Sequence, residues 1–266
     1  MHIDNLLGQA RQFSHSPTTM SFPESWAQGR TAFGGLSAAL LYSAMQSKVA
    51  QGRALRSLTT NFVGPLLADD PFTFEVELLR EGKSASQVTG RIIQNSQVVV
   101  IQQGCFGNER ISDIKVSNSD KHQMPTSDQL PKLPFIPDIT PNFLQNFDLA
   151  VAGGELPYSN GALSHIDGWM RFKHAPSELT DAHLICLIDT WPPCVLQMMK
   201  KPAPVSTMMW NLEFIHPHRP IAPEEWFAYQ SNTRQAAGGY AHTEANIWDC
   251  TGELVAISRQ SIAVFD

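Results

Sequence analysis

Two kinds of hydrophobic pattern alternate along this chain, and each occurs twice. From Gly29 to Met45 the residues are mostly small or apolar and rich in Ala, Leu and Met, which favour helix. This predicts a buried helix whose Gly34, Gly35, Ala38 and Ala39 let a sheet wrap closely around it. Four segments of strand character follow, near Arg56–Val63, Phe72–Arg80, Ser84–Gln94 and Gln97–Cys105. Phe72, Phe74, Val76 and Leu78 alternate with other residues, and Asn95-Ser96 supplies a hairpin turn. A short helix is expected before all of these, over Ile3–Arg11.

The second pass starts with strand character at Asn146–Ala152 and His165–Lys173. Thr180 to Pro193 then reads as a helix with Thr180 as N-cap, a stripe of Leu184, Leu187, Ile188 and Trp191, and Pro192-Pro193 as its stop. One residue breaks the stripe. Asp189 closes the run Leu-Ile-Cys-Leu-Ile, where a carboxylate either faces solvent from an amphipathic helix or is held inside by hydrogen bonds. Four more strands are expected at Val205–Phe214, Trp226–Thr233, Gly239–Trp248 and Leu254–Phe265, with Asp249–Gly252 as the last turn.

Helix followed by four strands therefore appears twice. Phe62-Val-Gly-Pro65 corresponds to Phe214-Ile-His-Pro217, a shift of 152 positions. The repeat is one of pattern more than of letters. It predicts an α+β fold of two tandem modules, each an antiparallel sheet around a central helix. The first spans residues 1–110 and the second 146–266, with a proline-rich linker at 111–145.

Composition narrows the function. A net charge of −6 without basic clusters argues against nucleic acid. The longest mostly apolar stretch, Phe33–Met45, is too short to span a bilayer, and the N-terminus lacks a secretion pattern. Four scattered cysteines (Cys105, Cys186, Cys194 and Cys250) indicate reduced thiols in a cytoplasmic protein. His216-Pro-His218 has no third or fourth ligand at metal spacing and reads as a loop. Cys194 has no histidine placed by sequence to activate it. A Gly-x-Ser-x-Gly elbow, a Walker loop and a dinucleotide fingerprint are all absent.

Three stretches carry a family likeness. Ala32-Phe-Gly-Gly35 resembles Val-Phe-Gly-Gly of the double-hotdog acyl-CoA thioesterases of type II. Leu79-Arg-Glu-Gly-Lys-Ser-Ala-Ser86 resembles their Leu-Arg-Asp-Gly-Asn-Ser-Phe-Ser, and Thr251-Gly-Glu-Leu-Val-Ala-Ile-Ser-Arg-Gln260 their closing segment. The likeness covers most of residues 20–106 and 180–266. It implies a double hot-dog hydrolysing acyl-CoA, with no cofactor beyond the CoA of the substrate, and a homodimer. The family's catalytic Asp, hydroxyl and Gln fall on Asp189, Thr207 and Gln260. The chain departs from the family after Thr207, reading Met208-Met-Trp-Asn211 in place of Ile-Asp-His-Ser. Strict alternation puts Thr207 on the face opposite Trp210, Leu212 and Phe214. Either a bulge turns it inward or Ser206 supplies the hydroxyl.

A carboxylate is suited to activating water as general base, and a hydroxyl and an amide to holding it in place. Backbone N–H groups at Gly34-Gly35, at a helix N-terminus, would meet the oxyanion, although helix packing explains these glycines equally well. An acyl slot between the modules is expected, lined by Trp191, Met198, Met199, Met208 and Met209. Arg80, Lys83, Lys200, Lys201 or Arg234 would meet the CoA phosphates. The competing readings are a non-catalytic acyl-CoA or lipid-binding module and an enoyl-CoA hydratase. Hydratases of this fold resemble one another in an Asp followed five positions later by His, a pair missing here.

Overall fold

The computed structural model describes residues 1–13 and 19–265. Helix α1 (Ile3–Gln12) buries Ile3, Leu6, Leu7 and Ala10 and packs on α2. A small ribbon, β1 (Ala27–Gln28) and β2 (Thr31–Ala32), turns at Gly29 with φ 63°. That ribbon takes residues the sequence assigned to the helix, so α2 runs Gly34–Gln46 with Phe33 as its N-cap. Every residue of α2 from Gly35 to Met45 is buried.

Strands β3 (Ala54–Phe62), β4 (Phe72–Glu81), β5 (Ala85–Gln94) and β6 (Gln97–Gly107) follow. Asn95 and Ser96 both have positive φ, the backbone a two-residue hairpin needs. After the intermodule segment come β7 (Phe147–Gly153), β8 (His165–Phe172) and α3 (Asp181–Ile188). The last strands are β9 (Val205–Phe214), β10 (Phe227–Ala237), β11 (Tyr240–Trp248) and β12 (Leu254–Val264). All but the small ribbon join one antiparallel sheet in the order β4-β5-β6-β3-β9-β12-β11-β10-β8-β7. This is the double hot-dog, and the central β3–β9 pair fuses its halves.

The register of that pair proves the repeat. Ser57 faces Glu213 and Asn61 faces Met209, and a shift of 152 exchanges the two pairs. Thr59 and Asn211 face each other and are each other's counterparts, so a local twofold passes between them. The irregularities match as well. Arg56 of β3 is skipped opposite β6, and Met208 of β9, 152 residues later, is skipped opposite β12.

The intermodule segment has two textures. Residues 108–121 are almost wholly exposed and carry no strand or helix. From Pro125 onward the chain is docked. Trp169 donates its indole N–H to the Pro125 carbonyl, Leu133 pairs with Leu149, and Val151 pairs with Pro131. Prolines leave few N–H groups to satisfy, but their neighbours' backbones still pair with the edge of β7.

Candidate active site

Helix α3 is not amphipathic. Every residue from Ala182 to Ile188 is buried, so the helix has no solvent face on which Asp189 could sit. Asp189 is its C-cap, with φ −86° and ψ 8°, and leaves the helix only partly buried. The twofold sets α3 against α2 so that the C-terminus of one meets the N-terminus of the other. The Gly35 backbone N–H lies toward the Asp189 carboxylate and pulls its pKa down. A Cβ on Gly34 would stand 2.8 Å from Asp189 Oδ2, and one on Gly35 would stand 2.6 Å from the Cys186 carbonyl oxygen. These glycines thus serve a close approach of helix to helix, where the sequence suggested helix to sheet. Gly34 and Gly35 are the first two residues of α2, whose early N–H groups have no partner within the helix.

Gln260 reaches the same carboxylate from β12. Its Nε2 donates to Asp189 Oδ1 at 3.0 Å, and its Oε1 accepts from Thr207 Oγ1 at 3.1 Å. The carboxylate, which can only accept when ionised, fixes which end of the amide faces it. Thr207 therefore acts on Asp189 through Gln260 and makes no direct bond to it.

The bulge decides which hydroxyl is present. Gln260 lies opposite Trp210, and with Met208 skipped, Thr207 lies opposite Ile262. Residues 260 and 262 share a face of β12, so Thr207 and Trp210 share the corresponding face of β9. Without the extra residue Thr207 would point away. Ser206 lies opposite Ala263, on the other face, and is exposed.

Burial pushes the Asp189 carboxyl from its ordinary 3.8 up to about 7, with Gln260 and the Gly35 N–H pulling the other way. The loss of hydration outweighs both. The same burial, with the neighbouring Asp189 charge, drives the Cys186 thiol well up. Cys194 is raised by burial too and bonds Ser231 Oγ at 3.2 Å, which leaves it an inert thiol.

A small pocket with a free volume of about 10 Å³, room for about one water and partly open to solvent, adjoins Gln260. Trp191, stacked on Tyr229 at 6.1 Å, forms part of its wall, with Cys194, Ser231, Thr243, Ala245 and Gln260. This pocket lies within the second module. Of the residues expected to line an acyl slot between the modules, Trp191 borders this pocket. Met198, Met208 and Met209 are exposed and Met199 is buried elsewhere. Met208 is displaced by its own bulge and Met209 lies on the outer face. The signal available in the sequence was the inward alternation of β10 and β11. Ser231, Thr243 and Ala245 are small where a closed core takes larger side chains.

The hot-dog pair brings a carboxylate, an amide and a hydroxyl into contact, and of the three Gln260 lines the pocket. Sequence models of the acyl-CoA thioesterase N-terminal domain match residues 22–107, and those of its C-terminal domain match residues 125–264. The chain belongs to the acyl-CoA thioesterase family. No curated protein sequence matches it. A conserved protein of unknown function with a hot-dog fold from Alicyclobacillus acidocaldarius superposes with TM-score 0.83 at 20% identity, covering 100% of this chain and 99% of that one. The acyl-CoA thioesterase II TesB2 of Mycobacterium marinum gives 0.71 at 19% identity, over 99% and 98% of the two chains. The tesB protein of Mycobacterium avium subs paratuberculosis gives 0.72 at 19%, over 98% and 100%. At such identities these structures share the fold. No helix among the described residues is long and apolar enough to cross a membrane.

Proposed function

We propose that the chain hydrolyses acyl-CoA thioesters to free acid and CoA, with Asp189 as the general base. The observation that carries this reading is the relay Thr207 to Gln260 to Asp189, which ends at the N-terminus of α2. The thioester lies with its carbonyl oxygen toward Gly34 and Gly35, where the first-turn N–H groups and the positive end of α2 favour negative charge. Water bonded to Asp189 attacks the carbonyl carbon and its proton passes to the carboxylate. The tetrahedral intermediate then collapses, the C–S bond breaks, and the proton on Asp189 is available to the departing CoA sulfur. A thiol of ordinary acidity leaves readily as thiolate, so this step needs little help.

Gln260 and Thr207 are positioning residues in this scheme. A glutamine amide cannot take the proton, and Thr207 fixes the amide's orientation. The chemistry asks for no metal or further cofactor. Lys200 and Lys201, exposed in the segment before β9, are our candidates to meet the CoA phosphates.

The test is release of free thiol from a panel of acyl-CoAs. Asp189→Asn keeps the shape and loses the base, so its rate falls by about 10²–10⁴. An unchanged rate in a folded Asp189→Asn protein removes Asp189 from the mechanism.

A further inference from the structure

The twofold that relates the modules also relates the two ends of the helix pair, and the second end carries different chemistry. There the N-terminus of α3 meets the later turns of α2. Asp181 of α3 accepts a hydrogen bond from Tyr42 Oη at 3.3 Å, and Tyr42 in turn accepts from Gln46 Nε2 at 3.0 Å. The counterpart of Thr207 at this end is Leu55, which lies opposite Phe106 as Thr207 lies opposite Ile262. The counterpart of Gln260 is Gly104, opposite Leu58. The hydroxyl and the amide are both missing, so this end cannot repeat the hydrolytic site.

Two histidines gather there. His216 and His218, in the loop after β9, bring their ligand atoms and that of Asp181 within 4.8 Å of one another. Among the described residues this is the one group of three such side chains so arranged. His216 Nε2 is buried and has no hydrogen-bond partner, a costly state for an imidazole nitrogen. His216 is held in place by stacking on Phe214, and its ring centroid lies 4.8 Å from that of His218. His218 Nδ1 lies 3.0 Å from the Arg219 carbonyl oxygen. A carbonyl can only accept, so Nδ1 carries the proton and Nε2 keeps its lone pair.

We propose that Asp181, His216 and His218 bind a divalent transition-metal cation, for which Zn²⁺ is the best chemical match. Two imidazoles and one carboxylate form a three-ligand set with a fourth position left to water. Mg²⁺ and Ca²⁺ prefer oxygen ligands throughout and fit poorly. Metal–ligand bonds of about 2 Å require the three atoms to draw closer. The exposed His218 ring is free to make that adjustment. Outer partners are already present, Tyr42 on the carboxylate and the Arg219 carbonyl on His218, as ligating groups require. The cation ties the β9–β10 loop to α3 and, through Tyr42, to α2. It acts at the end of α3 away from Asp189, about 12 Å along the helix.

The full chain, stripped with a chelator and titrated with ZnCl₂ in a calorimeter, is expected to bind one equivalent. His218→Ala and His216→Ala are expected to weaken that binding by about 100-fold, and Tyr42→Phe by about tenfold. His218 is exposed, so its variant keeps the test open should His216→Ala fail to fold. Co²⁺ in place of Zn²⁺ is expected to give the visible absorption of a four-coordinate site, lost in His218→Ala. The proposal is overturned if wild type takes up no stoichiometric zinc, if His218→Ala binds as tightly as wild type, or if MgCl₂ displaces zinc at equal concentration. None of these readouts depends on thioester hydrolysis.

Discussion

Asp189 sits where a carboxylate is expensive to ionise, and that expense sets both its use and its cost. The rise from 3.8 to about 7 amounts to on the order of 4 kcal/mol against the charged form. A base of that strength is half ionised near neutral pH, close to the optimum for general-base catalysis. Two pH series should read the same group. In the first, kcat/KM for an acyl-CoA rises with pH through about 7, and at pH 5 only about one hundredth of the base is available. In the second, the folded state holds its proton more tightly than the unfolded chain does. The stability contributed by that proton is fully present below pH 3.8 and is lost as pH rises through about 7. Asn at 189 carries no such penalty, so Asp189→Asn is expected to gain stability over wild type between pH 4 and 7, by up to about 4 kcal/mol. Urea denaturation of both proteins across that range measures the gap. A constant gap would mean that Asp189 does not titrate there.

The bulge at Met208 decides at the scale of one strand which hydroxyl the site receives. It moves Thr207 from the face of Met209 to the face of Gln260, while Ser206 goes outward. Thr207→Val keeps the shape and leaves the Gln260 amide without its outer partner. A hydrogen bond of this kind is worth about 1 kcal/mol, so kcat should fall by about fivefold or more. Ser206→Ala should leave kcat unchanged, since that side chain lies across the sheet from Gln260. Reversed results in the thiol-release assay would mean that the register of β9 and β12 is regular in solution. The glycines of α2 belong to this scale as well. Gly35 is required because a Cβ would strike the backbone of α3, and the contact it permits brings a helix N-terminus to the carboxylate.

Across the whole molecule, β3 and β9 make one sheet of two modules, and α2 and α3 share one continuous core. Neither module can release the other without exposing a strand edge and a buried helix face. The exposed stretch 108–121 crosses between them with few bonds to the rest of the chain. Limited proteolysis there is expected to give two fragments on a denaturing gel that still co-elute at the native volume and still hydrolyse acyl-CoA. Separation of the fragments under native conditions would show that the covalent link, and not the shared sheet, holds the halves together.

Hydrophobic period alone determined the long elements, though not the β1–β2 ribbon. Alternation along Phe72–Leu78 and the apolar runs at 33–45 and 184–188 are local properties, and local sterics and burial act on them directly. The repeat was legible for the same reason, since Phe62 and Phe214 close equivalent strands. The likeness to known thioesterases then marked Asp189, Thr207 and Gln260, but could not say how they touch. Tertiary structure decided that Thr207 reaches Asp189 only through Gln260 and that Asp181 joins His216 and His218. Each is a contact between residues dozens of positions apart, set by a strand register or by the twofold. A one-residue bulge reverses which face a side chain takes, and no local pattern in β9 announces it.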